Sequence, residues 1–132
     1  MATVKMVEYD EAGPEVKAVY DDIMATRNTD TINNFWKTIA VHPPTLARTW
    51  RDLKEVMAPG ALDPMIKEMI AVAVSATNGC AYCVNSHTAA AMQKGMTKEM
   101  LGELMAVVGM FNTTNRLVEG YQVDLDVFPP LD

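Results

Sequence analysis

The sequence predicts an all-α protein: a compact helical domain of about six helices over residues 1–132 that is an obligate oligomer with a shared helical core. Three observations predict it. Apolar residues recur at helical spacing nearly throughout, with no convincing two-residue alternation and no hairpin signal. Proline and glycine punctuate the chain where helices start and stop, at Gly13-Pro14, Pro43-Pro44, Pro59-Gly60, Asp63-Pro64 and Gly95. The run Met69 to Val74 is apolar on every side, so as a helix it is expected to be buried all round. A chain of 132 residues can hardly surround one helix alone, and copies of the protein are expected to cover it.

Gly13-Pro14 opens a first helix, with Val16, Val19, Tyr20 and Ile23 as its apolar stripe. The polar stretch Thr26 to Thr31 ends it. A short helix from about Asn33 to His42 carries Phe35, Trp36 and Ile39. His42-Pro43-Pro44 is a break, because a residue before proline is pushed out of the helical region. A third helix runs from about Thr45 to Met57, with Leu46, Trp50, Leu53 and Met57 on one side, and Pro59-Gly60 stops it. Asp63 is a good N-cap and Pro64 a good first residue for a fourth helix. Asn78-Gly79 makes a tight turn, a fifth helix begins at about Cys80, and Gly95 ends it. Thr97 caps the last long helix, which carries Met100, Leu101, Leu104, Val107 and Val108. The tail from Val123 to Asp132, with Pro129-Pro130, is expected to be extended or poorly ordered. Eleven methionines read first as flexible filler between helices, and more sharply as part of a subunit interface.

The composition narrows the function. A net charge of −6 argues against nucleic acid, and no cluster of Lys or Arg suggests anionic lipid. The first residues reach Glu8, Asp10 and Glu11 before any apolar run develops, unlike a signal peptide, and no apolar run approaches a membrane span. A cytoplasmic protein is expected. Thiols are kept reduced in that compartment, so Cys80 and Cys83 are expected to cycle or to bind metal rather than to staple the fold.

The segment Cys80-Ala81-Tyr82-Cys83-Val84-Asn85-Ser86-His87 concentrates the chemistry. On a helix, positions 80, 83 and 87 lie along one stripe. Cys80 falls at the helix start, where unsatisfied amides favour a thiolate, the form that attacks a peroxide or a disulfide. An antiparallel hairpin about Asn78-Gly79 places Glu68 opposite about position 89, within one turn of His87. The expected order is Glu68 deepest, then His87, then Cys83, with Cys80 nearest the surface. A carboxylate holding a histidine raises its basicity, and that histidine could take a thiol proton. Blander readings stand beside each residue: His87 as a hydrogen-bonded helix residue, Glu68 as part of a solvated helix start, Tyr82 and Ser86 as packing or solvent residues, and His42 as structural.

The run Glu68, Cys80-Ala81-Tyr82-Cys83, His87 resembles the active-site pattern of the alkylhydroperoxidase D and carboxymuconolactone decarboxylase superfamily. Both spacings match: Glu68 to Cys80 is 12 and Cys83 to His87 is 4. The likeness extends over about residues 35–120. It implies an all-helical fold, trimers or hexamers that share their buried helices, and peroxidase or disulfide-reductase activity with Glu68 and His87 relaying protons to Cys80 and Cys83. It implies a peroxide or disulfide substrate, a thiol reductant, a role in antioxidant defence and no cofactor. One departure matters. The best-characterised peroxidase branch has histidine directly before its second cysteine, where this chain has Tyr82. A phenol with an ordinary pKa of about 10 is the poorer shuttle at neutral pH.

Two other classes compete. A zinc-binding protein would need Cys80, Cys83, His87 and His42 to converge, since the chain has only two cysteines and two histidines. A non-redox lyase would use Glu68 or His87 as its base, although the decarboxylase branch generally lacks the dithiol. A thioredoxin fold lacks its strands here, and a haem attachment site would need histidine where Val84 stands.

Overall fold

The computed structural model describes residues 1–131, so Asp132, the last residue of the predicted tail, lies outside the described residues. The described residues are all-α, with six helices: α1 (Pro14–Arg27), α2 (Asn34–Ile39), α3 (Pro43–Met57), α4 (Pro64–Thr77), α5 (Ala81–Gln93) and α6 (Lys98–Tyr121). A single 3-10 turn, Tyr9–Glu11, precedes them, and no strand occurs among the described residues. No helix is long and apolar enough to cross a membrane among the described residues. The helices fall into two units, Met1–Ala58 and the remainder from Pro59.

In the first unit the stripe read from the sequence becomes the core. Val16, Tyr20 and Ile23 of α1 are buried with Trp36 of α2 and with Leu46 and Trp50 of α3. The two indoles meet edge to face, their ring centroids 5.4 Å apart, an arrangement that suits the aromatic quadrupole. Two of the buried polar tips have partners within the unit: the Trp50 indole N–H donates to Asp22 Oδ2 at 2.6 Å, and the Tyr20 hydroxyl donates to the Val7 carbonyl at 2.8 Å. The hydrogen bond from Trp50, and after it that from Lys54, hold the Asp22 carboxyl below its ordinary range.

Two boundaries in this unit differ from the sequence reading. The short helix stops at Ile39 instead of His42, and α3 begins at Pro43 instead of Thr45. His42 is extended, at φ −128° and ψ 92°, as a residue before proline should be. The two prolines then occupy the first turn, where a missing N–H costs nothing because those amides have no intrahelical acceptor.

In the second unit the predicted signals act as drawn. The Asp63 side chain accepts the Met65 N–H at 2.8 Å, and Thr97 Oγ1 accepts the Met100 N–H at 3.1 Å. Between α4 and α5 the chain reverses on Gly79, whose φ of +72° is a left-handed conformation that favours glycine. The Cys80 N–H bonds back to the Ser75 carbonyl at 2.9 Å and the Gly79 N–H to Ala76 at 3.3 Å, closing the end of α4 in a Schellman motif.

Within one chain α4 is covered on one side only, in keeping with the expectation that a chain this short cannot surround it. The fourth helix, read as buried all round, buries one face: Glu68, Val72 and Ser75, at helical spacing. Its stripe of Ile66, Ile70 and Val74 is exposed, Ile70 at 47% and Val74 at 53%. The run 69–74 is apolar because two faces are apolar, and the single chain covers only one of them. The long helix α6 has no fully buried residue, and its Val107, Met110, Phe111, Leu117 and Val118 are exposed. Beyond it the residues from Val123 to Leu131 carry no regular secondary structure, as anticipated for the tail.

Candidate active site

Cys80 is the N-cap of α5. Its Sγ accepts the Cys83 N–H at 3.3 Å, so the sulfur occupies the place where a capping oxygen usually sits. Cys80 and Cys83 are joined as a disulfide, their Cα atoms 5.3 Å apart. The helix start is the electropositive end, and it would favour a thiolate at either sulfur once the bond is opened.

Glu68 reaches this region from α4. The α4–α5 hairpin sets the register predicted from Asn78-Gly79, and His87 Nδ1 lies 2.8 Å from Glu68 Oε2. Glu68 is 7% exposed, and its other oxygen, Oε1, accepts from Lys94 Nζ at 3.4 Å. Burial pushes the Glu68 carboxyl up, but the hydrogen bond from His87 and the charge of Lys94 outweigh it and hold the group below its ordinary range. Glu68 is therefore a carboxylate and an acceptor. Its hydrogen bond with Nδ1 needs a proton on that nitrogen, which leaves Nε2 as the basic atom of the neutral imidazole.

The structure brings Glu68 and His87 into direct contact and puts Cys83 one helical turn before His87. Glu68 is the buried member, as anticipated, while His87, Cys83 and Cys80 are all half-buried. Ser86 turns its hydroxyl back to its own helix, donating to the Cys83 carbonyl at 3.2 Å, and Tyr82 is 46% exposed. His42 lies in the first unit, where its Nδ1 is 2.8 Å from Thr45 Oγ1. No group of three or more His, Cys, Asp or Glu side chains suited to a metal ion occurs among the described residues.

Sequence reasoning missed Lys94. Its signal was spacing: it lies seven residues after His87, two turns along the same face. A lysine next to the glycine that ends a helix is so ordinary that nothing else marks it.

Comparison with known proteins follows the same residues. The model of the carboxymuconolactone decarboxylase family matches residues 44–124. An uncharacterized protein of Cupriavidus necator is 31% identical over 84 residues, which span 64% of this chain and 74% of that protein. The alkyl hydroperoxide reductase AhpD of Solibacter usitatus is 30% identical over 91 residues, 69% of this chain but only 50% of its own length. Among solved structures, the alkylhydroperoxidase AhpD core from Rhodospirillum rubrum shares 50% identity and superposes with a TM-score of 0.92, covering 96% of this chain and 95% of that one.

Proposed function

Because the chain belongs to the carboxymuconolactone decarboxylase family, we propose that Cys80 and Cys83 form the redox centre of a thiol-dependent peroxidase or disulfide reductase, with His87 as base and Glu68 as its anchor. The observation that carries this reading is the 2.8 Å contact between His87 Nδ1 and Glu68, one turn from a cysteine pair at a helix N-terminus. The similar alkyl hydroperoxide reductases and the alkylhydroperoxidase core support the same reading.

In the reduced enzyme, His87 Nε2 takes the proton of Cys83 Sγ. The resulting thiolate attacks the terminal oxygen of a peroxide ROOH, and the O–O bond breaks. Cys83 becomes a sulfenic acid, and the alkoxide leaves as an alcohol with the proton returned by the imidazolium. Cys80 then attacks the sulfenic sulfur, closing the disulfide and releasing water. Two equivalents of an external thiol reopen it by exchange and leave as their own disulfide. A partner disulfide would be reduced by the same dithiol without the oxygen step. The carboxylate contributes by fixing the imidazole tautomer and stabilising the imidazolium, a general-base contribution worth about 10²–10⁴-fold in rate. Tyr82, exposed beside Cys83, supports a shorter relay than one with a second imidazole at that place.

The exposed stripes of α4 and α6 support a companion proposal, that copies of the chain cover them in a trimer or hexamer. The family's name favours one second reading, a lyase with Glu68 or His87 as base.

The test is peroxide consumption driven by several thiol donors, with Cys80→Ser and Cys83→Ser alongside. The expected outcome is turnover in the wild type and none above background in either variant. Equal behaviour of all three proteins overturns the redox reading, and retention of activity on a lactone by the double variant installs the lyase.

A further inference from the structure

Glu68 has two nitrogen partners, and the redox scheme uses only one. Its Oε2 faces His87 Nδ1 at 2.8 Å and its Oε1 faces Lys94 Nζ at 3.4 Å, so the buried carboxylate is shared by the histidine and the lysine. The two partners come from one element, His87 from within α5 and Lys94 from its C-cap.

The backbone fixes where Lys94 stands. It closes α5, its N–H directed at the Ala90 and Ala91 carbonyls. The next residue, Gly95, has φ +108°, and the chain turns back so that Met96 is buried and its N–H reaches the Ala91 carbonyl at 3.0 Å. This second Schellman closure ties the root of Lys94 to the helix end, where a cation is also favoured by the helix dipole. The side chain is partly exposed along its length while its ammonium group meets a buried oxygen.

We propose that Lys94 is a positioning residue of the proton relay: by sharing the charge of Glu68 it keeps His87 from being locked as an imidazolium, and so leaves Nε2 able to accept a thiol proton. The physical reason is a balance of two opposite demands. A buried carboxylate alone beside a histidine favours the ion pair, and a histidine already protonated is no base. A carboxylate that also faces a permanent cation still fixes the Nδ1–H tautomer but pulls less strongly on a second proton. Lys94 also repels that second proton directly. The inference rests on the redox reading for its catalytic meaning, while its electrostatic content stands on the geometry of Glu68.

The experiment follows the imidazole signals by proton NMR across pH in the full chain. There are only two histidines, so His42→Gln assigns the His87 signal. Lys94→Met is expected to hold the His87 proton to higher pH than the wild type, and Lys94→Arg to follow the wild type. The acid limb of the rate profile is expected to move with it. Circular dichroism and Lys94→Arg exclude a folding defect as the cause. Superimposable titrations of wild type, Lys94→Met and Lys94→Arg overturn the proposal, even if the dithiol turns over. Absence of turnover in the wild type overturns the redox reading instead, and the NMR titration then still decides whether Lys94 acts on His87.

Discussion

Residues 1–58 enclose two tryptophans, a tyrosine, Ile23 and Leu46, whereas the part from Pro59 buries Glu68, Ser75, Val72, Ala91 and Met96. The first interior is aromatic and aliphatic, and every large side chain in it contributes about 1.5–3 kcal/mol by leaving water. The second holds smaller side chains and one carboxylate. Small residues between α4 and α5 let the two backbones approach, and that approach is what carries Glu68 to His87 and Lys94. The second unit keeps its larger apolar side chains outside, on α4 and α6. One part of the chain is thus built for burial, and the other for holding charge at a defined place.

The largest expected effect that could break this contrast lies in the first unit. Trp50→Ala removes the edge-to-face partner of Trp36 and the donor to Asp22, and should cost about 3–5 kcal/mol in urea denaturation. A variant as stable as the wild type would mean that the aromatic core does not hold this unit together.

Next comes Glu68→Gln, which keeps the shape of the carboxylate and removes its charge. Turnover should fall by about 10²-fold, with the helical signal retained. The same variant has a pH signature. The Glu68 carboxyl is held below its ordinary value in the folded chain, so its contribution to stability is present above the unfolded-state carboxyl range. It is lost as pH falls through the lower, folded value. Stability plotted against pH should therefore fall less steeply on the acid side for Glu68→Gln. A curve parallel to the wild type's would show that the ion pair contributes no stability of its own.

The smallest effect on the isolated chain sharpens the contrast. Ile70→Thr with Val74→Thr alters only exposed positions of α4, and should change the stability of a single copy by no more than about 0.5 kcal/mol. Sedimentation should nevertheless show smaller species than the wild type, if copies cover that stripe. An unchanged assembly would remove α4 from the interface.

Much of this was legible because the relevant signals are local. Asp63 and Thr97 cap their helices through side chains that bond the first turn, and Gly79 and Gly95 end helices in conformations that other residues rarely adopt. The Glu68–His87 pairing was readable because a tight turn fixes the register of a helical hairpin. The 3-10 turn Tyr9–Glu11 was not, since three residues carry no periodicity. Nor was the start of α3, because a proline pair signals a break and an acceptable first turn equally well. The exposed face of α4 fits the expectation that one chain cannot cover it, while hydrophobicity states only that a face avoids water and not which molecule covers it. Lys94 was hidden because an ion pair across a hairpin depends on side-chain reach, which residue type and position do not specify.

The spacing of the two cysteines has one more consequence. Their Cα atoms, 5.3 Å apart, stand about as far apart as any residues i and i+3 of an α-helix, ~5 Å. Making or breaking the bond between their sulfurs therefore asks for side-chain rotation and no new path for the backbone. The geometry of the helix tip is thus already that of an ordinary first turn, and the bond joins two neighbours that the helix itself places side by side.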